Sequence, residues 1–117
     1  MSPRVARWLA AWQGDDPQAV AALYASDCRH ESARIAAAMP ELGRSYLIGP
    51  GELREYAARA FERLAWRRFE LAVLIETGEF SVLEYWRHTP LEPAPSRVCE
   101  VLQWRDGRLI RSCAYHF

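Results

Sequence analysis

The chain has 117 residues, half of them apolar, which suffices for one hydrophobic core and is too short for two independent ones. Its 15 basic residues are all arginine and are balanced by 15 acidic ones, so the long-range field that recruits nucleic acid is missing. No apolar run reaches the roughly 20 residues of a bilayer span, and the N-terminus lacks the apolar stretch of a secretory signal. A single domain over residues 1–117 is therefore expected, resident in the cytoplasm, with neither nucleic acid nor membrane as partner.

Ser2-Pro3 offers an N-cap followed by proline, and Val5, Trp8, Leu9 and Trp12 recur at helical spacing. Gly14 stops that helix, and Asp16-Pro17 repeats the start signal for a second one running to about Ala25. Asp27–Ser32 reads as a first strand, and Ala33–Met39 as a helical turn ended by Pro40. Glu41–Gly51 suits a loop or lid. The clearest helix follows, with Leu53, Tyr56, Ala57, Ala60, Phe61 and Leu64 on one stripe and an end near Trp66. Arg67-Arg68, the only adjacent basic pair, reads as a solvated strand entrance rather than a phosphate contact.

After that helix the apolar period changes to two. Phe69–Glu76 and Glu79–His88 form a hairpin about Thr77-Gly78, and a proline-punctuated connection leads to a strand at Arg97–Arg105. Asp106-Gly107 then turns the chain into a last strand, Arg108–Phe117. Helices first and a meander of strands last imply an α+β fold with a helix layer on one face of an antiparallel sheet. Cys28, Cys99 and Cys113 are odd in number and lack CxxC spacing, so reduced core thiols are expected rather than a disulfide framework or a zinc site. The three scattered histidines suggest no metal, and the absence of GxGxxG and GxxxxGK suggests no nucleotide cofactor.

The run Arg7-Trp-Leu-Ala-Ala-Trp-Gln-Gly-Asp-Asp, its continuation Ala21-Ala-Leu-Tyr-Ala-Ser-Asp, the Gly51-Glu-Leu-Arg-Glu-Tyr helix and the closing Trp104-Arg-Asp-Gly-Arg-Leu-Ile resemble the SnoaL-like branch of the nuclear transport factor 2-like superfamily. The resemblance implies a cone: a strongly curved sheet wrapped around three helices, one internal apolar pocket, and dimers formed through the sheet. Some members are ketosteroid isomerases, scytalone dehydratase, limonene epoxide hydrolase or polyketide cyclases, whereas others only bind or assemble, so the fold alone assigns no activity. Laid against ketosteroid isomerase, the oxyanion tyrosine falls at Trp8, the general-base aspartate at Ser32 and the protonated acid of the oxyanion hole at Glu100. Serine in the base position argues against steroid isomerisation by that route. The Asp-Arg-Asp arrangement of an epoxide hydrolase is missing.

Strand alternation sets His30 and Ser32 on one face, which the resemblance makes the cavity face. His30 is the natural general base, since histidine titrates near neutral pH. Glu100, in an apolar run beside Leu102 and Trp104, would be desolvated and so suited to donating a proton or orienting the histidine, whereas a one-residue change of register would put it on the outer face in an ion pair with an arginine. His116 depends on the Asp106-Gly107 hairpin: a two-residue loop pairs Trp104 with Leu109 and Cys99 with Ala114, whereas a three-residue loop pairs Trp104 with Arg108 and Cys99 with Cys113 and brings His116 to the Glu100 face. The resemblance favours the second. Trp8 and Tyr56 are the polar handles of an aromatic wall, with Trp104 beside them; Trp12, Tyr24, Phe61 and Trp86 read mainly as core.

Catalysis is thus assigned to His30 and Glu100, and ligand contact to Trp8, Ser32, Tyr56, Trp104 and His116. The partner is a small hydrophobic molecule. The expected function is a cofactor-independent acid/base enzyme of isomerase, dehydratase or cyclase type; the alternatives are a ligand-binding protein or a dimerisation module of the same shape. A homodimer through the sheet is expected, with Val101, Leu109 and Tyr115 on the face opposite Glu100.

Overall fold

Ser2 opens the first helix, α1 (Pro3–Gln13), by accepting the Val5 N–H on its Oγ at 3.4 Å, and Asp16 opens α2 (Pro17–Ala21) by accepting from Gln18 at 2.9 Å. Both caps precede a proline, whose missing N–H costs nothing in a first turn. The structure, a computed structural model, describes residues Met1–Phe117. The next elements in order are β1 (Tyr24–Ser32), α3 (Ile35–Ala38), a 3-10 turn (Pro40–Leu42) and β2 (Tyr46–Ile48). They are followed by α4 (Gly49–Arg63), β3 (Arg68–Glu76), β4 (Phe80–His88), β5 (Ser96–Arg105) and β6 (Arg108–His116). The helices number four rather than three, because the Ala33–Met39 turn is a helix of its own.

One six-stranded sheet runs in the order β2-β1-β6-β5-β4-β3. Every pair is antiparallel except β1 with β6, which is parallel, so the all-antiparallel expectation needs that correction. Parallel neighbours require a long crossover, and here everything between Ser32 and Arg108 supplies it. The loop expected at Glu41–Gly51 contains β2, which pairs with Arg29, His30 and Glu31. A Glu52 carboxylate secures this corner: it accepts the Ile48 N–H at 2.7 Å at the entrance of α4 and both terminal nitrogens of Arg44 at 2.8 Å. β1 begins at Tyr24, earlier than expected, since α2 stops after a single turn.

Curvature comes from irregular pairing. Ala72 is unpaired between Leu71↔Tyr85 and Val73↔Glu84, and Ile110 is unpaired between Trp104↔Leu109 and Gln103↔Arg111. Each extra residue bends its strand. The concave face carries Leu83, Tyr85, Val98 and Leu102, and α1 and α4 pack Val5, Trp8, Trp12, Leu53 and Ala57 against it. No helix is long and apolar enough to cross a membrane.

The β5–β6 hairpin departs from both registers considered above. Asp106 and Gly107 both have positive φ, 51° and 77°, the signature of a two-residue I′ turn. The Ile110 bulge then shifts the register once more, pairing Cys99 with Tyr115, Val101 with Cys113 and Glu100 with Ala114. Cys99 therefore faces neither Cys113 nor Ala114, and all three cysteines are free. Turn and bulge together restore the parity of a three-residue loop, so Ser112, Ala114 and His116 share the Glu100 face. Leu109, paired before the bulge, is fully buried rather than on the outer face. Arg67 is also buried rather than solvated, donating to the carbonyl oxygens of Trp12, Leu64 and Gly14.

Candidate functional site

The concave face holds a cavity of about 60 Å³ bounded by α1, β1, α4 and strands β3 to β6, and His30, Ser32, Tyr56, Glu100 and His116 all line it together with Trp8. Six of the seven residues singled out in the sequence thus meet in one place. Trp104 does not: its Nε1 donates to Ser81 Oγ at 2.9 Å, and Arg4 lies over its ring 5.2 Å from the centroid. It shares the Glu100 face but lies two pleats nearer the hairpin end, where α1 covers it.

Glu100 is 4% exposed. Tyr85, two residues along from its cross-strand neighbour Leu83, donates its hydroxyl to Oε1 at 2.8 Å, and Oε2 has no protein partner. Burial raises the carboxyl pKa to about 7, with the Tyr85 hydrogen bond opposing the shift. At neutral pH the group is poised between acid and base.

His30, 3% exposed, lines the same cavity from β1, with no hydrogen bond to Glu100. Its Nδ1 lies 2.6 Å from Ser112 Oγ, which in turn lies 2.9 Å from the Tyr24 hydroxyl. Burial, and then the proximity of His116, lowers its pKa to about 4, so the imidazole is neutral and its Nε2 is the nitrogen left to the cavity. The Ser112 hydroxyl has one hydrogen. Donated to Nδ1, it makes Nε2 a donor; turned to Tyr24, it makes Nε2 an acceptor.

His116 and Ser32 form the third polar group. Ser32 Oγ is 3.0 Å from His116 Nε2 and accepts the Arg34 N–H at 3.2 Å, while Arg34 Nε donates to His116 Nδ1 at 3.2 Å. Burial and then Arg34 and Arg87 lower the His116 pKa to about 4. Burial raises that of Tyr56.

Trp8 and Trp12 each bring a buried indole N–H that meets no acceptor in hydrogen-bond geometry, although the Tyr24 hydroxyl lies near that of Trp12. Buried donors are normally paired, and two orphans in the walls of one cavity mark spare donor capacity. Sequence reasoning placed Trp12 in the core and passed over Arg34, Phe69, Tyr85 and Arg87, which also line the cavity. Alternation along Phe80–His88 could have identified Tyr85, since it sits on the face of Leu83. Arginines 34 and 87 carry no such signal. The cavity adjoins a larger recess of about 450 Å³, with Trp12, Arg34, Tyr56, Phe69 and Arg87 lining both. No group of three or more His, Cys, Asp or Glu side chains is arranged to hold a metal ion.

A bent sheet closed by helices over a cavity lined with acid/base groups is the architecture of the cone-shaped α+β proteins. The sequence pattern of the SnoaL-like domain matches residues 5–112, and the chain belongs to that family. The fold recurs in a Catenulispora acidiphila protein with a ketosteroid isomerase-like fold, solved in complex with trimethylamine (21% identity, 98% of this chain and 86% of that one, TM-score 0.78). It recurs in a Burkholderia thailandensis SnoaL-like protein (20% identity, 97% and 91% covered, TM-score 0.77). A Sinorhizobium meliloti protein provisionally named a polyketide cyclase also shares it (14% identity, 98% and 95% covered, TM-score 0.79). No curated protein matches the sequence.

Proposed function

We propose that this protein is a cofactor-independent acid/base enzyme of isomerase, dehydratase or cyclase type, acting on a small, largely hydrophobic molecule. The observation that carries the reading is Glu100: a carboxyl buried in a cavity wall, held by one hydroxyl, with its second oxygen free and its pKa at about 7. The roles first assigned to His30 and Glu100 are thereby exchanged. Glu100 is the proton carrier, and the neutral His30 is a hydrogen-bonding partner for a substrate oxygen.

In the simplest reaction Glu100 takes a proton from a carbon next to a carbonyl, and the C–H electron pair moves through the new C–C double bond onto the carbonyl oxygen. His30 Nε2–H and the unpartnered Trp8 N–H supply donors for that oxyanion. Where the substrate has a β,γ double bond the enolate is a dienolate, and return of the proton to the γ-carbon completes an isomerisation. The provisional cyclase name of the Sinorhizobium meliloti protein agrees with enolate chemistry on this scaffold.

The test is solvent deuterium incorporation into a panel of tetralones, indanones and steroid ketones, followed by NMR. Wild-type protein is expected to accelerate exchange on at least one of them with a pH limb near 7, and Glu100→Gln to reduce that rate by about 10²–10⁴-fold. Ligands that raise the melting temperature without exchanging would instead favour a non-catalytic binding protein. The internal partners of Glu100 and His30, Tyr85 and Ser112, give that second reading its support. The chain is also proposed to pair with a second copy through the outer face of the sheet, where Val101 and Tyr115 lie.

A further inference from the structure

The recess outside the cavity is lined by Arg34, Arg59, Arg63, Arg67 and Arg87, and no acidic side chain lines it. In a chain with no net charge, a third of the arginines surround this one opening. The rest of the wall is apolar, with Trp12, Phe69 and Leu64 on one side and Ala37, Ala38 and Ala60 leaving the space open.

Two of these arginines are already committed. Arg59 is held by Glu41 at 2.5 Å and Glu55 at 3.0 Å, and Arg67 spends its donors on three backbone carbonyls while stacking 3.8 Å from the Phe61 centroid. The other three have donors to spare. Arg34 has no carboxylate partner and gives its Nε to His116, Arg63 is exposed and unpaired, and Arg87 keeps one terminal nitrogen on Glu92 at 2.6 Å while its buried Nε has no acceptor. Arg34 and Arg87 also line the inner cavity, so they stand where a ligand would pass from recess to reaction centre. Their joint positive field is felt by His116, which they help to keep neutral.

We propose that the ligand of this pocket is an amphiphilic anion, an apolar or aromatic body carrying a carboxylate or similar group, whose charged end is held at the mouth by Arg34, Arg87 and Arg63. Guanidinium groups with unused in-plane donors match a planar anion, and charge-assisted hydrogen bonds there replace a like-charge crowd by a bridged one. The inference rests on the reading of the cavity as a ligand pocket, and it names the ligand's class.

Isothermal titration of benzoate, 2-naphthoate and octanoate against their primary amides, with inorganic phosphate alongside, tests it. At least one acid is expected to bind about tenfold to a hundredfold more tightly than its amide. This preference should shrink as salt is raised, and it should vanish in the Arg34→Met/Arg87→Met protein while the amide affinity holds. Arg63→Ala, at an exposed position, should lower the preference in part with the fold intact, which covers the case that the double variant does not fold. Amides that bind as tightly as acids overturn the anionic assignment and leave the pocket reading standing. Phosphate binding as tightly as 2-naphthoate overturns the amphiphilic one. No binding by either acid or amide overturns both the inference and the pocket reading.

Discussion

Two buried polar clusters lie on the concave side of the same sheet, and they differ in how many of their donors and acceptors are used. Near the hairpin end Trp104 donates to Ser81, Ser81 donates to Glu76 at 2.9 Å, and Glu76 also receives the Ser2 N–H and Arg4, whose remaining nitrogens reach the carbonyls of Thr77 and Gly78. Every group is matched, and together they tie the start of α1 to the β3–β4 turn. In the cavity the Trp8 and Trp12 indoles and Arg87 Nε are unmatched, and Glu100 and His30 each keep one atom free. Saturated networks hold a fold together; unsaturated ones are left for something that arrives later.

The comparison breaks first at Trp104. Trp104→Ala removes a buried ring, the indole donor to Ser81 and the surface beneath Arg4, which should cost about 3–5 kcal/mol in denaturant unfolding, while any remaining folded protein keeps its ligand affinity. A loss of ligand binding with little loss of stability would assign Trp104 to the pocket after all.

Glu100 should behave in the opposite sense. Its folded-state pKa of about 7 lies above the ordinary 4.5, so the folded state holds the proton longer than the unfolded one, and stability falls as pH rises through that window. Glu100→Gln keeps an acceptor for Tyr85 and carries no charge, so at pH 8 it should be more stable than wild type by roughly 2–3 kcal/mol. His30 and His116 act on the acid side: with folded pKa values of about 4 against an ordinary 6.5, they weaken the fold as pH drops from 6.5 towards 4. The variant should therefore gain stability from pH 4 to 6.5 and then level off. A pH–stability curve that superimposes on wild type would show that Glu100 is not desolvated.

What the sequence revealed about these two clusters depended on how local each signal was. The helix starts at Ser2-Pro3 and Asp16-Pro17, the stripe along α4 and the alternation of β3 and β4 are readable because neighbours a few residues apart decide them. Strand β2 escaped notice because Tyr46–Ile48 is too short to show a period and is a strand only by pairing with β1. The parallel β1–β6 contact joins the two ends of the chain, and no local pattern announces it. His116 reached the Glu100 face through a bulge at Ile110, which a Leu-Ile pair permits but does not signal. The free donors of the site were hidden for a related reason: sequence shows that Trp8 and Arg87 are polar, and only packing shows that nothing meets them.

Trp8→Phe sharpens this point with a smaller effect. The ring packs 5.8 Å from Phe69 and 5.9 Å from Tyr85 by centroids, which phenylalanine would largely preserve, and the lost N–H had no acceptor. Stability should change by about 1 kcal/mol or less, yet deuterium exchange on a responsive ketone should slow by at least about tenfold if that N–H serves the oxyanion. An unchanged exchange rate would remove Trp8 from the mechanism.

The smallest expected effect on the single chain lies on the outer face, away from both clusters. Val101 stands there between Val82 and Cys113, with Tyr115 opposite Cys99 and about half exposed, and apolar groups on an open sheet face lose their contact with water when a second copy covers them. Tyr115 makes no contact with the cavity, so Tyr115→Arg should leave ligand affinity and near-neutral stability at low concentration almost unchanged. Light scattering at micromolar concentration is expected to give a dimer for wild type and a shift towards monomer for Tyr115→Arg, as a guanidinium group would have to be desolvated in the proposed contact. If wild type is monomeric throughout that range, the outer face is only a solvated surface, and the cavity works without a partner.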